Sequence, residues 1–360
     1  MAEVRPAVAI ILRTRDRPVL LRRALADICA QTCRNWRLVV VNDGGDAAEV
    51  DRLVAELSGL ADRATVLHNA ESRGMEAASN QGVAAGASDH GESEYIAIHD
   101  DDDTWHPEFL ARTVAHLDAT ADAAVAVRTE IVWERVEGDT IVEESREAFY
   151  PEVRAFTLFQ LLRTNRFVPI SILHRRDVHA EVGPFREDLP VVGDWEFNLR
   201  LASSGRSLGF LDGEPLAFWH QRRTADGALA NSVIGQPEDH QRMDLLVRDE
   251  ALREHVRRYG LGGLLYLTSY FQREIDLMHG RVTYGEGRLH EIVDLLHRNE
   301  ERSIPQAELT THQGELLDQL GDLLRRQEER LEKLELAVSD ASLVSLVRRR
   351  YRRLKAALTR

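Results

Sequence analysis

The chain has 360 residues and a formal net charge of −14, and 43% of its residues are hydrophobic while 29% are charged. These values fit a soluble globular protein, and the excess of acid argues against a surface that binds nucleic acid generally. Cys29 and Cys33 lie four residues apart with no suitable ligands near them, which argues against a zinc site. No apolar run reaches the length that spans a bilayer.

Strands and helices alternate over the first hundred residues. Apolar runs predict buried strands, and apolar residues at three- and four-residue steps predict the helices between them. The alternation predicts βαβ units, a mostly parallel sheet and right-handed crossovers. The strands are predicted at 7–12, 36–41, 64–67 and 95–99, and the helices begin near Pro18, Val50 and Glu76.

The fourth strand ends in four consecutive aspartates, Asp100 to Asp103. Carboxylates at this spacing repel one another and resist the loss of water, which favours a hard divalent cation. Sites in open α/β sheets form beyond the carboxyl ends of strands, so the position suits a metal-bound diphosphate. The alternative is an acidic loop in which Asp103 or Thr104 caps the helix that starts near Pro107.

The next hundred residues predict the second half of the sheet. Residues 123–132 form an apolar segment typical of a strand, and 136–142 predict a hairpin around Gly138. A helix is predicted at 156–162 and a further strand at 168–174.

Several motifs together resemble the family 2 glycosyltransferases, over about Val8 to Asn231. They are IILRTRDRP at 10–18, QT at 31–32, LVVVNDG at 38–44, RG at 73–74 with Asn80, and HDDDDTW at 99–105. The resemblance implies the GT-A fold, which is Rossmann-like, with a mostly parallel central sheet flanked by helices. It also implies a nucleotide-diphosphosugar donor, a divalent metal (Mn²⁺ or Mg²⁺) and inversion at the anomeric carbon.

The resemblance implies a nucleotide-sugar site at the carboxyl ends of strands one, two and four. Asp43 matches the acid that accepts a hydrogen bond from the base, although Asn42 stands where the family often has a second acid. The alternative for Asp43 is an ordinary Asp-Gly turn. The predicted nucleotide-sugar residues are Thr14, Arg15, Asp43, Arg73, Asp100 and Asp101.

Three residues are candidates for binding the metal. Asp100 and Asp102 match the outer members of the family's Asp-x-Asp motif, which implies Asp102 as the direct ligand and Asp100 as a ribose or water-mediated contact. His220 follows the last of two short strands predicted at 208–210 and 216–219, where the family often has a histidine near the metal or diphosphate. The alternative for His220 is a surface loop residue.

Asp194 is the predicted general base. Inverting transfer needs a carboxylate that takes the proton of the acceptor hydroxyl, and the start of a rigid helix is a suitable place for it. The family usually has Glu-Asp followed by an aromatic residue, and here Gly193 replaces the glutamate while Asp194 and Trp195 remain. The alternative is an aspartate that caps the helix.

Helices are predicted beyond residue 237, at 242–259, 262–279 and 284–299. Leucines from 317 to 334 follow a short heptad pattern, which predicts a coiled coil or a helix laid on the domain, and the C-terminal helix is the candidate for a homo-oligomer contact. The basic tail, 345–360, fits peripheral contact with anionic lipid, or a solvated charged face. We expect a glycosyltransferase domain at 1–236, a helical extension at 237–304 and a helical tail at 305–360.

The sequence therefore predicts a metal-assisted inverting glycosyltransferase in the cytoplasm, with peripheral contact at the inner face of the membrane left open. The expected acceptor is a glycan or a lipid-linked saccharide, and no nucleic-acid partner is expected. A nucleotidyltransferase is disfavoured because residues 13–18 contain no glycine to cradle a triphosphate. A non-catalytic nucleotide-sugar-binding or scaffold protein on the same fold is the remaining alternative.

Overall fold

The computed structural model describes residues 7–88, 93–223, 229, 231, 235, 237–300, 319 and 322, and at 282, 286 and 296–300 it describes the backbone alone. The chain divides into two compact units, Met1–Tyr259 and Gly260–Arg360. The first unit has an α/β architecture, and the described part of the second is helical. The predicted fold class is confirmed.

The strands fall into two sheets. They are β1 (Val8–Thr14), β2 (Trp36–Asp43), β3 (Ala64–Asn69), β4 (Tyr95–Asp100), β5 (Thr104–Trp105), β6 (Ala124–Val127), β7 (Thr129–Glu137), β8 (Thr140–Ala148), β9 (Ile172–Arg175), β10 (Leu208–Leu211) and β11 (Ala217–Gln221). The main sheet has the order β10-β6-β9-β4-β1-β2-β3, in which β9 runs antiparallel to both neighbours and the other pairings are parallel. The smaller sheet has the order β5-β11-β7-β8.

Helices cover the main sheet, and two long helices follow the last strand. They are α1 (Pro18–Ala30), α2 (Ala47–Glu56), α3 (Met75–Ser88), α4 (Phe109–Ala119), α5 (Leu158–Arg163), α6 (Asp177–Val182), α7 (Gly193–Ser203), α8 (Pro237–Tyr259) and α9 (Gly262–Glu300). No helix among the described residues is long and apolar enough to cross a membrane.

Strand β1 lies in the interior of the main sheet, between β4 and β2, and all seven of its residues are buried. Its side chains alternate between two core layers, because successive residues of a strand point to opposite faces. Ile10 and Leu12 pack in the layer that contains α1, whereas Ile11 packs in the layer that contains Ala78 of α3. A strand covered on both faces reads as a continuous apolar run, which is why the sequence predicted it.

The parallel register brings the ends of four strands to one rim. Thr14 lies opposite Asn42 of β2, and Arg13 lies opposite Asp100 of β4. Asp43 lies opposite Asn69 of β3. This rim is therefore where side chains from β1, β2, β3 and β4 meet.

Two local expectations differ from the structure. The strand predicted at 168–174 is confined to Ile172–Arg175, because Pro169 opens a 3-10 turn before it. The helices predicted at 262–279 and 284–299 form one continuous helix, α9.

The predicted boundary after residue 236 lies inside the first unit. Met243 and Val247 of α8 are buried in its core, so the compact unit continues to Tyr259. The heptad at 317–334 and the basic tail at 345–360 lie outside the described residues, apart from Gln319 and Asp322 in the heptad region.

Helix α3 packs closely on the sheet because it carries small residues at its contact face. A Cβ at Gly82 would lie 2.2 Å from Ile11 Cγ2, whereas a Cβ at Gly86 would lie 3.2 Å from Ala9 Cβ. A methyl group at residue 82 therefore has no space without moving the helix or the strand.

We expect Gly82→Ala to lower the free energy of unfolding by about 1–3 kcal/mol, since over-packing of a filled core has that cost. Gly86→Ala is the matched control on the same helix face and should lose less. Urea denaturation of both variants measures the difference, and equal stability of the two would contradict this packing.

Candidate active site

Asp100 and Asp101 at the end of β4 are held by different parts of the chain. The Arg13 guanidinium donates to Asp100 Oδ1, with Nε at 3.0 Å. Asp101 is fully buried, and its Oδ2 accepts from Thr14 Oγ1 at 2.7 Å and from Arg17 Nε at 3.1 Å. Burial, opposed by Arg17, raises the pKa of Asp101 to about 6. A ligand could reach Asp101 only if the loop between β1 and α1 moved.

Asp102 is also buried, and it is held by two arginines. Its Oδ2 accepts from Arg17 Nη1 at 3.1 Å, from Arg222 Nη2, and from Asn231 Nδ2 at 3.2 Å. Burial alone would raise the pKa of Asp102, but Arg17 and Arg222 outweigh it and lower that pKa to about 2. Asp102 therefore stays charged without a metal.

Glu134 on β7 connects these charges to the smaller sheet. It is 2% exposed and accepts hydrogen bonds from Arg23, Arg222 and His220. Burial acts to raise its pKa, but the hydrogen bonds from His220 and Arg23 lower it to about 2. A buried acid with three such partners is a fixed negative charge.

His220, a predicted metal ligand, has a partner at each ring nitrogen. Nδ1 lies 2.6 Å from Glu134 Oε2, and Nε2 lies 2.8 Å from Thr104 Oγ1. Its backbone N–H donates to Asp103 Oδ1 at 2.9 Å. A metal could bind His220 only after one of these hydrogen bonds had broken.

Asp43 at the end of β2 holds the segment that leads into α3. Oδ1 accepts from Asn69 Nδ2 at 2.9 Å and from the Arg73 backbone N–H at 2.8 Å. Oδ2 accepts from Ser72 Oγ at 2.7 Å and from the Gly74 N–H at 3.0 Å. Burial raises the pKa of Asp43, but these hydrogen bonds outweigh it and keep the pKa below its ordinary value. Recognition of a base by Asp43 would require one of them to be exchanged.

Two of the predicted nucleotide-sugar residues, Arg15 and Arg73, have exposed side chains beside this rim. Arg15 follows Thr14 at the end of β1, and Arg73 follows the Asp43-bound Ser72. Exposed guanidinium groups at the carboxyl ends of parallel strands can reach the phosphates of a ligand in solution.

Asp194 lies in the first turn of α7 and is oriented by a second side chain. Asn165 Nδ2 donates to Asp194 Oδ2 at 2.7 Å. Burial raises the pKa of Asp194, against the lowering effect of the hydrogen bonds from Asn165 and the Trp195 N–H. Val192, which precedes the helix, has a φ of 61°, and a β-branched residue in this region is strained. A raised pKa strengthens a carboxylate as a base.

A cavity of about 520 Å³ brings Asp194 and Asp100 together. Arg13 and Glu76 line it on the sheet side, and the aromatic side chains of Phe149, Tyr150, Trp195 and Trp219 also contribute to its wall. Concave sites with apolar walls and a few convergent charged groups are typical of small-molecule binding. The cavity lies within the first unit.

Two carboxylates in this region have the chemistry of a divalent metal site. Every hydrogen bond described for the Asp100 carboxylate uses Oδ1 and every one described for the Asp102 carboxylate uses Oδ2, so no described hydrogen bond involves the second oxygen of either group. Mg²⁺ and Mn²⁺ accept such oxygens and take the rest of their shell from water and phosphate. Within the described residues, no group of three or more His, Cys, Asp or Glu side chains forms a protein-only metal site.

Four site residues were missed in the sequence, although one of them, Arg13, carried a signal. Arg13 is a charged residue inside the apolar strand β1, where an unpaired charge is costly, whereas Glu134 stands in β7 among other charged residues and gave no such signal. Asn165 and Glu76 gave no comparable signal, because one lies in a loop and the other on a helix of small residues that would suit solvent exposure.

Glu76 is expected to make the stability depend on pH. Burial raises its pKa from 4.5 to about 8, with Asp194, Asp100 and Glu196 adding to the effect and Arg13 opposing it. Between those values the folded chain keeps a proton that the unfolded chain releases, so the free energy of unfolding falls as pH rises.

We expect Glu76→Gln to be more stable than the wild type by at least about 1 kcal/mol at pH 8, and to lose this advantage near pH 5, because the amide has no proton to release. Urea denaturation at both pH values measures it, with the exposed Glu71→Gln as control. A difference that does not change with pH would contradict a neutral buried carboxyl.

Comparison with known proteins gives a consistent family match. The model of the family described as "Glycosyl transferase family 2" matches residues 9–177. An uncharacterized glycosyltransferase, YwdF, of Bacillus subtilis (strain 168) is 29% identical over 205 residues, which cover 55% of this chain and 69% of the relative. A PGL/p-HBAD biosynthesis glycosyltransferase of Mycobacterium bovis (strain BCG / Pasteur 1173P2) is 26% identical over 199 residues, which cover 55% of this chain and 71% of the relative.

Solved structures share the fold at low identity. S. aureus TarS matches with a TM-score of 0.51 and 17% identity, over 68% of this chain and 39% of TarS. TarS 1-349 in complex with UDP-GlcNAc matches with a TM-score of 0.50 and 15% identity, over 62% of this chain and 61% of the solved chain. The chain thus spans less than two thirds of these solved chains, and the likeness concerns the fold alone.

Proposed function

Because residues 9–177 make this chain a member of glycosyl transferase family 2, we propose that it transfers a sugar from a nucleotide-diphosphosugar to an acceptor hydroxyl with inversion. The single observation that carries the proposal is the cavity shared by Asp100 and Asp194. Asp100 ends a central strand at the sheet rim, and Asp194 lies in the first turn of a helix. A donor at the rim would have its sugar in the cavity, beside the base.

The nucleotide is proposed to lie along the rim formed by β1, β2 and β4. Asp43 and Thr14 would border the base and ribose, and the exposed Arg15 and Arg73 would face the nucleotide and its phosphates. Bidentate contacts from guanidinium groups suit phosphate oxygens. Asp101, fully buried beneath them, would contribute by fixing Thr14 and Arg17 rather than by touching the donor.

Asp194 would act as the general base. The acceptor oxygen attacks the anomeric carbon, the bond from that carbon to the phosphate oxygen breaks, and Asp194 takes the acceptor's proton. The nucleoside diphosphate leaves with the bonding electrons, so no covalent bond to the enzyme forms. The hydrogen bond from Asn165 to Asp194 Oδ2 would orient the carboxylate for this step.

Asp102 Oδ1 and Asp100 Oδ2 would hold Mn²⁺ or Mg²⁺, which when bound supplies Lewis-acid stabilisation of the leaving diphosphate. Arg17 and Arg222 would keep Asp102 in place from the opposite side. His220 would support this arrangement through Glu134, and would join the metal only by giving up its hydrogen bond with Thr104.

The acceptor is proposed to be a glycan or a lipid-linked saccharide. Relatives include proteins named for PGL/p-HBAD biosynthesis and for O-antigen biosynthesis, the latter from Myxococcus xanthus. The aromatic side chains around the cavity, including Tyr150 and Trp219, suit stacking against a sugar ring.

A panel of UDP-, dTDP- and GDP-sugars tests the donor class. We expect the wild type to bind at least one nucleoside diphosphate more tightly with Mn²⁺ than with EDTA, and to release that diphosphate slowly from the matching sugar nucleotide. Calorimetry and a nucleoside-diphosphate release assay measure both effects. A purified protein that binds no member of the panel, with or without metal, would refute the proposal.

Asp194→Asn should abolish transfer while preserving donor binding. Loss of the base should lower kcat by about 10²- to 10⁴-fold, with the Kd of the nucleoside diphosphate within about twofold of the wild type. Asp188→Asn, an exposed carboxylate on the preceding segment, is the control and should keep full activity. Retained transfer by Asp194→Asn would assign the base to another residue.

A further inference from the structure

Glu76 is a buried acid that faces the cavity without a complete set of hydrogen bonds. It lies in the first turn of α3, is 5% exposed and lines the cavity with Asp194 and Asp100. Its Oε2 is buried and has no hydrogen-bond partner in the part of the chain that the structure describes. Buried polar atoms of this kind are rare in folded proteins, because the lost hydration is not replaced.

The structure makes space for this carboxyl group at the start of α7. A Cβ at Gly193 would lie 2.4 Å from Glu76 Oε1, 2.5 Å from Cδ and 2.7 Å from Cγ. The Glu76 side chain therefore occupies the volume that any side chain at residue 193 would need. Gly193 directly precedes Asp194, so the Glu76 carboxyl lies beside the helix start that carries the base.

The other end of the Glu76 segment is fixed to the nucleotide side of the rim. Asp43 accepts hydrogen bonds from the backbone N–H groups of Arg73 and Gly74, immediately before α3. Arg13 donates to the Met75 carbonyl and also to Asp100. Glu76 is thereby held between the strand ends that would bind the nucleotide and the helix that carries Asp194.

We propose that Glu76 binds a hydroxyl group of the transferred sugar and so helps to determine which sugar the enzyme accepts. The inference rests on the proposed function, since in a glycosyltransferase the sugar must lie between the diphosphate and the base. A sugar hydroxyl both donates and accepts, and it would satisfy the unpartnered oxygen. A site built to bond a hydroxyl rejects analogues that lack it, because the buried group is then left unpaired.

Four variants test the assignment: Glu76→Ala, Glu76→Gln, Gly193→Ala and the double variant Glu76→Ala/Gly193→Ala. The probe is the panel sugar nucleotide that the wild type turns over fastest, compared with its nucleoside diphosphate alone. Gly193→Ala keeps the glutamate but displaces its carboxyl group. It therefore tests the position of that group without changing its chemical identity. Circular dichroism and the thermal midpoint report on folding.

We expect Glu76→Ala and Gly193→Ala each to lower kcat/KM by about 10- to 100-fold, the usual effect of an unmade hydrogen bond to a substrate. The Kd of the nucleoside diphosphate should stay within about twofold. Glu76→Gln should keep most of the activity, since an amide still donates and accepts. The double variant should be no worse than Glu76→Ala, because the group that the new Cβ would meet is gone.

Preference among sugars gives a readout that a purely structural role would not change. The kcat/KM values of Glu76→Ala for epimeric and deoxy sugar nucleotides should differ less from one another than those of the wild type. If the wild type is active and Glu76→Ala keeps both its rate and its sugar preference, the assignment of Glu76 is overturned while the proposed function stands. An equal loss of nucleoside diphosphate binding also overturns it. A wild type that binds no panel member overturns the proposed function and this inference with it.

Discussion

The rim of the sheet depends on hydrogen-bond and charge partners for four consecutive aspartates at the end of a buried strand. A charge taken out of water is tolerated only when it is paired and hydrogen-bonded. Each aspartate of 100–103 has its own partner: Arg13 from β1, Arg17 at the entry to α1, Arg222 after β11, and the His220 backbone N–H. The same pairings bring together both sheets and the first helix, so the charge balance determines the geometry of the site.

This charge balance also determines which oxygens remain for a ligand. The arginines bind one oxygen of Asp100 and one of Asp102, and leave the second oxygen of each. A cation bound there would meet two carboxylates already oriented by guanidinium groups, so little reorganisation would be needed. Asp101 and Asp103 are more deeply buried than Asp102, and burial raises the pKa of each. In the proposed function, Asp100 and Asp102 would therefore hold the cation while Asp101 and Asp103 stay in the interior.

The fold could be predicted from the sequence because strand and helix periods are local, and the aspartate run was visible as a motif. The partners of that run were not predictable, because Arg17 and Arg222 lie 85 and 120 residues from Asp102. Periodicity carries no information on contacts at that separation. His220 shows the same limit: it was predicted to follow the last strand but lies within β11, and its hydrogen bonds to Glu134 and Thr104 depend on the smaller sheet.

Gly193 illustrates how a local departure can be misread without the tertiary structure. In the sequence, Gly193 stands next to the predicted base, where the family usually has a glutamate. In the structure, the absence of a Cβ leaves the space beside residue 193 to the carboxyl group of Glu76 from α3. The segment before α3 is hydrogen-bonded to Asp43, so this carboxyl group is linked to the nucleotide side, whereas a carboxyl group on α7 would move with Asp194. If Glu76 binds the sugar as proposed, recognition of the sugar is coupled to the nucleotide rim rather than to the base.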